Sequence, residues 1–258
     1  AISAVVIVAI QAVFFNALPG TIAGDINLTF RSNIGGAEIN GRYYIPCGKH
    51  IRTDLLFGAR YVRLAEEMQI QESIRGINGT TFPFNGQDFT SLTNHDSFDT
   101  TNQFLGPQIG GRVMYEHSWL NLSLFAKLGL GATMQQVSID GTTTFSGPTG
   151  SLTAAGGVLA LPSNIGTYHR TVFGILPEFG FNVGFNITDH LRLQMGYSAL
   201  LWNRVVRPGS SFDRSVNTGL APSSQNFGTV TGAIAPVFRF HDETFWAQSL
   251  NLGLEFHY

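Results

Sequence analysis

The sequence has 258 residues, with 15 Lys plus Arg against 17 Asp plus Glu, and only 12% of it is charged. That is about half the charged fraction of an average soluble domain, and the near-neutral balance excludes functions that rest on a basic face, nucleic-acid binding first among them. There are 30 glycines and 21 phenylalanines but no apolar run of eighteen residues, which excludes a membrane-spanning helix and suits apolar residues dispersed along alternating strands.

The chain opens on AISAVVIVAIQAVFF, an apolar stretch of about fifteen residues. It lacks the basic flank of a signal peptide and is short for a membrane helix. A start at Ala1 rather than methionine fits removal of such a peptide. As a strand over 2–15 it fits in length, although both faces are apolar.

A second strand over 25–45 sets Ile39, Tyr43 and Ile45 against Glu38, Asn40 and Arg42. The tight turn Pro46-Cys47-Gly48-Lys49 follows. Cys47 is the single cysteine, so no intrachain disulfide forms, and His50 alone beside it makes no metal site. The third strand, 50–70, opposes Leu55, Phe57, Ala59 and Tyr61 to Asp54, Gly58 and Arg60.

A long polar loop is predicted over 72–99, carrying Asn94-His95-Asp96-Ser97 and Asp99. It is the best candidate for a hydrolase or acyltransferase site, yet adjacent His and Asp do not face each other, and the expectation is no enzyme. The fourth strand, 100–116, sets Ile109, Val113 and Tyr115 against Gln108, Gly110, Arg112 and Glu116. After the turn Glu116-His117-Ser118, the fifth, 119–143, carries Leu120, Leu122, Leu124, Ala126, Leu128 and Leu130 opposite Asn121, Ser123, Phe125, Lys127 and Gly129.

The loop over 144–166 contains GGVLALPSNIG, an apolar insert expected to pack back on the barrel mouth or to meet a partner. The sixth strand, 167–187, alternates Phe179, Phe181, Val183, Phe185 and Ile187 with Glu178, Gly180, Asn182, Gly184 and Asn186. Beyond Thr188-Asp189, the seventh, 190–207, places Leu191, Leu193, Met195 and Tyr197 opposite Arg192, Gln194, Gly196 and Ser198. A loop over 209–235 leads to the eighth, 236–258, with Leu250, Leu252, Leu254, Phe256 and Tyr258 opposite Ser249, Asn251, Gly253, Glu255 and His257. His241-Asp242-Glu243 at the base of that loop is weighed as a divalent-ion site and lacks recognisable ligand spacing.

Short and long connections alternate strictly. The expected architecture is therefore all-β, one domain over 1–258. It is an antiparallel up-and-down transmembrane β-barrel of eight strands, or ten if the long loops hide hairpins, with short periplasmic turns and long extracellular loops. The residues opposite the leucines are mostly Gly, Ser and Asn, a composition for a crowded interior, so the apolar faces are expected to meet lipid. Tyr43, Tyr44, Trp119 and Tyr258 near the turns, and Tyr61, Tyr168, Trp202 and Trp246 toward the loops, fit aromatic girdles at the two headgroup levels. The alternating last strand with its terminal aromatic, Leu250, Leu252, Leu254, Phe256 and Tyr258, resembles the signal read by the barrel-assembly machinery.

Several phrases are similar to a family of outer-membrane barrels known mainly from planctomycetes and described as of unknown function. They are DLLFGARYVRLAEEMQI from Asp54, FDTTNQFLGPQIGGR from Phe98, GGVLALPSNIGTYHR from Gly156, VVRPG from Val205 and the closing FWAQSLNLGLEFHY. The resemblance covers roughly residues 30 to 258, leaves 1–24 outside it, and implies a barrel in the bacterial outer membrane with no activity to carry over.

The inward parities carry Glu38, Asp54, Glu116, Glu178 and Glu255 against Arg42, Arg60, Arg112, Lys127 and Arg192. An eight-stranded barrel is filled by its own side chains, so a lumenal network of paired charges is expected to plug it. The alternative is a selectivity lining in a small diffusion channel for ions or small solutes. No cofactor, metal or catalytic residue is expected. The partners expected are outer-membrane lipid, lipopolysaccharide at rim arginines such as Arg63 and Arg207, the assembly machinery and neighbouring envelope proteins.

Overall fold

The computed structural model describes residues 18–188, 191–211, 213 and 215–256. The first predicted strand, over 2–15, and terminal Tyr258 lie outside the described residues. Ten strands are described: β1 Ile22–Pro46, β2 Ile51–Gly76, β3 Phe82–Phe84, β4 Gln87–Phe89, β5 Ser91–Glu116, β6 Leu120–Gly147, β7 Gly150–Ala155, β8 Gly166–Thr188, β9 Leu191–Val205 and β10 Glu243–Phe256.

Seven long strands form one antiparallel sheet in the order β1-β2-β5-β6-β8-β9-β10, with β7 paired to the far end of β6. Every long strand pairs with its sequence neighbour, as an up-and-down meander requires. Among the described residues β1 and β10 are the two sheet edges and do not pair with each other. An isolated bridge, Leu18 to Ile22, closes a turn at the start of β1.

The sheet is strongly curled, so that side chains of β1 and β2 meet those of β6 and β8 across its concave side. Strand twist drives this coiling. Glycines sharpen it between β5 and β6, where a Cβ on Gly106 would sit 2.3 Å from the Leu130 carbonyl oxygen and one on Gly131 2.3 Å from that of Leu105. The pairing of these two strands skips at this level, between Leu105–Ala132 and Gln108–Gly129.

The convex side carries an apolar band. Ile39, Phe57, Ile109, Leu124, Phe179 and Leu252 on six different strands are each at least half exposed. Tyr43 and Trp119 by the turns and Trp246 toward the loops are also exposed. The expected apolar parities are therefore the outer ones.

The strands run well past this band. β2 and β5 each have 26 residues, about 85 Å at about 3.3 Å per residue, whereas about ten tilted residues cross hydrocarbon. This corrects the loop predicted over 72–99. Only a short hairpin of β3 and β4 interrupts the chain there, and His95 and Asp96 lie within β5.

Candidate functional site: a layered lumen

Alternation puts even positions of β2 and β5 and odd positions of upper β6 on the concave side, where register stacks them into layers. At the turn end lie Arg42, Asp54, Arg112 and Arg192. Above them four of the ten anticipated charges come together. Lys127 Nζ stands 2.6 Å from Glu38 and 3.7 Å from Glu178, while Arg60 donates to Glu178 and lies 4.0 Å from Glu38. Gln108 Nε2 donates to Glu38 at 3.0 Å and to Asn40 at 2.6 Å. Two acids and two bases make this cluster neutral, and three of its members are at most 15% exposed.

Among the described contacts the remaining members of the anticipated network do not join one continuous ladder. Asp54 is fully buried and takes Arg52 Nε at 3.3 Å, with its second oxygen unpartnered. Arg112 Nε donates to Ser123 at 2.9 Å, and Arg192 Nε to Asn186 at 2.8 Å. Glu116 is exposed at the last residue of β5. Glu255 is opposite Arg192 in the β9–β10 register; its side chain is outside the description, as is that of Phe256. Leu250, Leu252 and Leu254 stand on the convex face, each more than 60% exposed.

Over the charge cluster sits an apolar layer of Val62, Leu64, Phe104, Leu176, Trp202 and Val205. Trp202 is a correction: instead of joining an outer girdle it is fully buried, its indole N–H donating to Thr133 Oγ1 at 3.1 Å and its ring edge-on to Phe104. Sequence reasoning missed this layer although a signal was present, because Trp202 shares the parity of Arg192 and Gln194 on β9.

Higher still, the segment leaving β9 turns into the mouth. Asn102 exchanges two hydrogen bonds of 2.8 Å with the backbone of Val206. Arg207 pairs with Glu66 at 2.9 Å, so this arginine faces inward. Tyr168 is also turned in, stacked on Phe238 at 3.9 Å. Met68, Phe98, Val137, Ile139, Ala160 and Val206 form a second apolar layer.

The GGVLALPSNIG segment packs onto this mouth, with Ala160 and Leu161 fully buried. A single carboxylate seats it. Asp96 accepts from the backbone N–H groups of Val158, Leu159 and Ala160 at 3.0–3.1 Å. Gly157 is required beside it, because a Cβ there would stand 2.0 Å from Asp96 Oδ1. Thr143 ties Asn94 to the Gly156 carbonyl at 2.7 and 2.6 Å. Burial pushes the Asp96 carboxyl above the usual carboxylate range, against the opposing pull of its N–H donors.

His95 and Asp96 are successive strand residues and face opposite sides of the sheet, while Ser97 Oγ donates to Asp99 at 3.0 Å on the outer side. At the base of the last loop, Asp242 is gripped by Arg170 and Arg204, and His241 Nδ1 lies 3.3 Å from the Arg239 carbonyl oxygen.

Residues 7–258 match the model of a family described as Putative beta barrel porin-7 (BBP7). No curated protein and no solved structure matches the chain.

Proposed function

The chain belongs to the BBP7 family of beta-barrel porins, and from that membership and the filled lumen we propose a structural role. The protein is an eight-stranded barrel of the bacterial outer membrane, closed by its own side chains and presenting large folded loops outward. The count of eight takes the seven long strands described and one more to close the gap between the edges β1 and β10. The convex apolar band meets lipid, and the last strand serves the assembly machinery. The role involves no enzymatic chemistry, in keeping with the separation of His95 from Asp96 across the sheet.

The observation that carries this reading is the stack of two buried apolar layers, around Trp202 and around Phe98, across the concave side. A hydrated pore needs a continuous polar path, and two layers of buried apolar side chains stand across it. Single-channel recording of the folded protein in a planar bilayer tests it. Silent membranes at high protein loading are expected; reproducible conductance steps would favour a small diffusion channel instead. The channel reading keeps one supporting observation, which is that the upper closure is made by loop segments held through a few polar contacts.

A further inference from the structure

Two arginines in the turn-side half of the lumen, Arg42 and Arg112, form no ion pair among the described residues, although Glu38 lines the same cavity and Asp54 stands opposite Arg112 in register. Arg42 of β1 and Arg112 of β5 line one cavity of about 380 Å³, bounded by Leu56, Phe125, Glu38 and Lys127. Arg42 is opposite Leu56, and Arg112 opposite Asp54, on the two strands that flank β2. Two strand spacings and a two-residue offset along the strands thus separate their Cα atoms by roughly 12 Å on one face.

Glu38 holds Lys127 and Glu178 holds Arg60, while Asp54 meets Arg52 through one oxygen only and keeps the other unpartnered. Glu116 shares the face of Arg112 but lies four residues on, at the end of the strand. Arg112 spends its Nε on Ser123, which fixes the plane of the guanidinium and leaves its two terminal nitrogens. Arg42 makes no ion pair among the described residues.

Like charges in a concave pocket with an apolar floor repel more strongly than on an open surface, because field lines pass through a medium of low dielectric. The lining sets Arg42, Arg112 and Lys127 against Glu38, an excess of positive charge. We propose that this cavity binds a small oxyanion of the phosphate or carboxylate class, bridged between the guanidinium forks of Arg42 and Arg112. Arginine suits this task because its planar fork donates two parallel N–H bonds to one oxyanion. Leu56 and Phe125 then contact whatever apolar body carries the charged group. An adjoining cavity of about 330 Å³, which Arg112 also lines with Asn121, Asn182 and Gln194, gives a polar approach from the turn end. Both cavities lie on the turn side of the apolar layers, so the site stands whether or not the lumen conducts.

The test is calorimetric titration of the folded full chain in detergent micelles with inorganic phosphate at low ionic strength. One saturable site is expected, weakened about ten-fold or more by Arg42→Gln and by Arg112→Gln. Arg31→Gln, on the convex loop-side face where Arg31 meets Glu67, is expected to leave it unchanged. If Arg112→Gln fails to fold, Arg112→Lys keeps the charge without the fork and must give a measurable but smaller loss. Absence of saturation at millimolar phosphate, or losses no larger than that of Arg31→Gln, overturns the proposal.

Discussion

Arg207 grips Glu66 with two parallel N–H bonds of 2.9 Å, joining residues 141 positions apart. The carboxylate is fully buried, and Ser32 Oγ donates to it as well at 3.0 Å. The pair fastens the segment after β9 to the wall of β2. Its energetic weight follows from what each half would be without the other. Arg207→Met leaves a buried, uncompensated carboxylate and is expected to cost about 3–5 kcal/mol. Arg207→Met combined with Glu66→Met is expected to cost less than the single change, and thermal unfolding of the two variants in detergent compares them directly.

The Asp96 seat has a pH signature. The folded-state pKa of Asp96 is raised, chiefly by burial. A raised folded-state pKa means that its contribution is fully present below the ordinary carboxylate range and is lost as pH rises through the folded value. Asp99, raised by burial and by Glu67 and Asp140, acts with the same sign. The difference between wild type and Asp96→Asn isolates the Asp96 part. The wild-type unfolding temperature should fall between pH 4 and pH 7 by more than that of Asp96→Asn; equal slopes would remove Asp96 from the account.

Lumenal charges should differ in weight according to their company. Arg60→Met removes a partner of Glu178 in a site where both side chains are at most 15% exposed. Arg112→Met removes one hydrogen bond to Ser123. The first is expected to cost about 3 kcal/mol or more of stability and the second about 1 kcal/mol or less, read from thermal unfolding of the two variants.

The two apolar layers are separable by deletion. Removing 156–164 takes away buried Ala160 and Leu161 and should lower stability. The Trp202 layer lies below and is untouched, so bilayers carrying the deletion are expected to stay silent. Conductance steps in that variant would make the loop segment alone the closure.

The convex band is tested by charge. Leu124, 63% exposed on the outer face, replaced by Arg should cost about 2–4 kcal/mol in lipid vesicles if it sits near the bilayer midplane. Ser151→Arg, on β7 beyond the band, should stay within about 0.5 kcal/mol. Equal costs for the two would argue against lipid on that face.

Much of the wall was legible in the residues. Period-two alternation located all seven long strands described and assigned Leu124, Phe179 and Leu252 to one face and Glu178 and Lys127 to the other. It failed over 72–99 for a physical reason. Past the apolar band the outward positions His95, Ser97 and Asp99 are polar, and the inward positions Asn94 and Asp96 are polar too. Hydropathy then carries no period although the strand continues, and the residues read as a loop.

What the sequence by itself determined is parity, since successive strand residues must face opposite sides whatever their neighbours. The partners across the lumen were decided only by the tertiary structure. Glu38 and Lys127 are 89 positions apart, and nothing local couples them. They meet because the sheet curls until β1 faces β6, and the degree of curl is a property of the whole sheet. The same curl brings Trp202 against Phe104, and the inward fold of the mouth segments places Arg207 on Glu66 and the backbone of Val158 on Asp96.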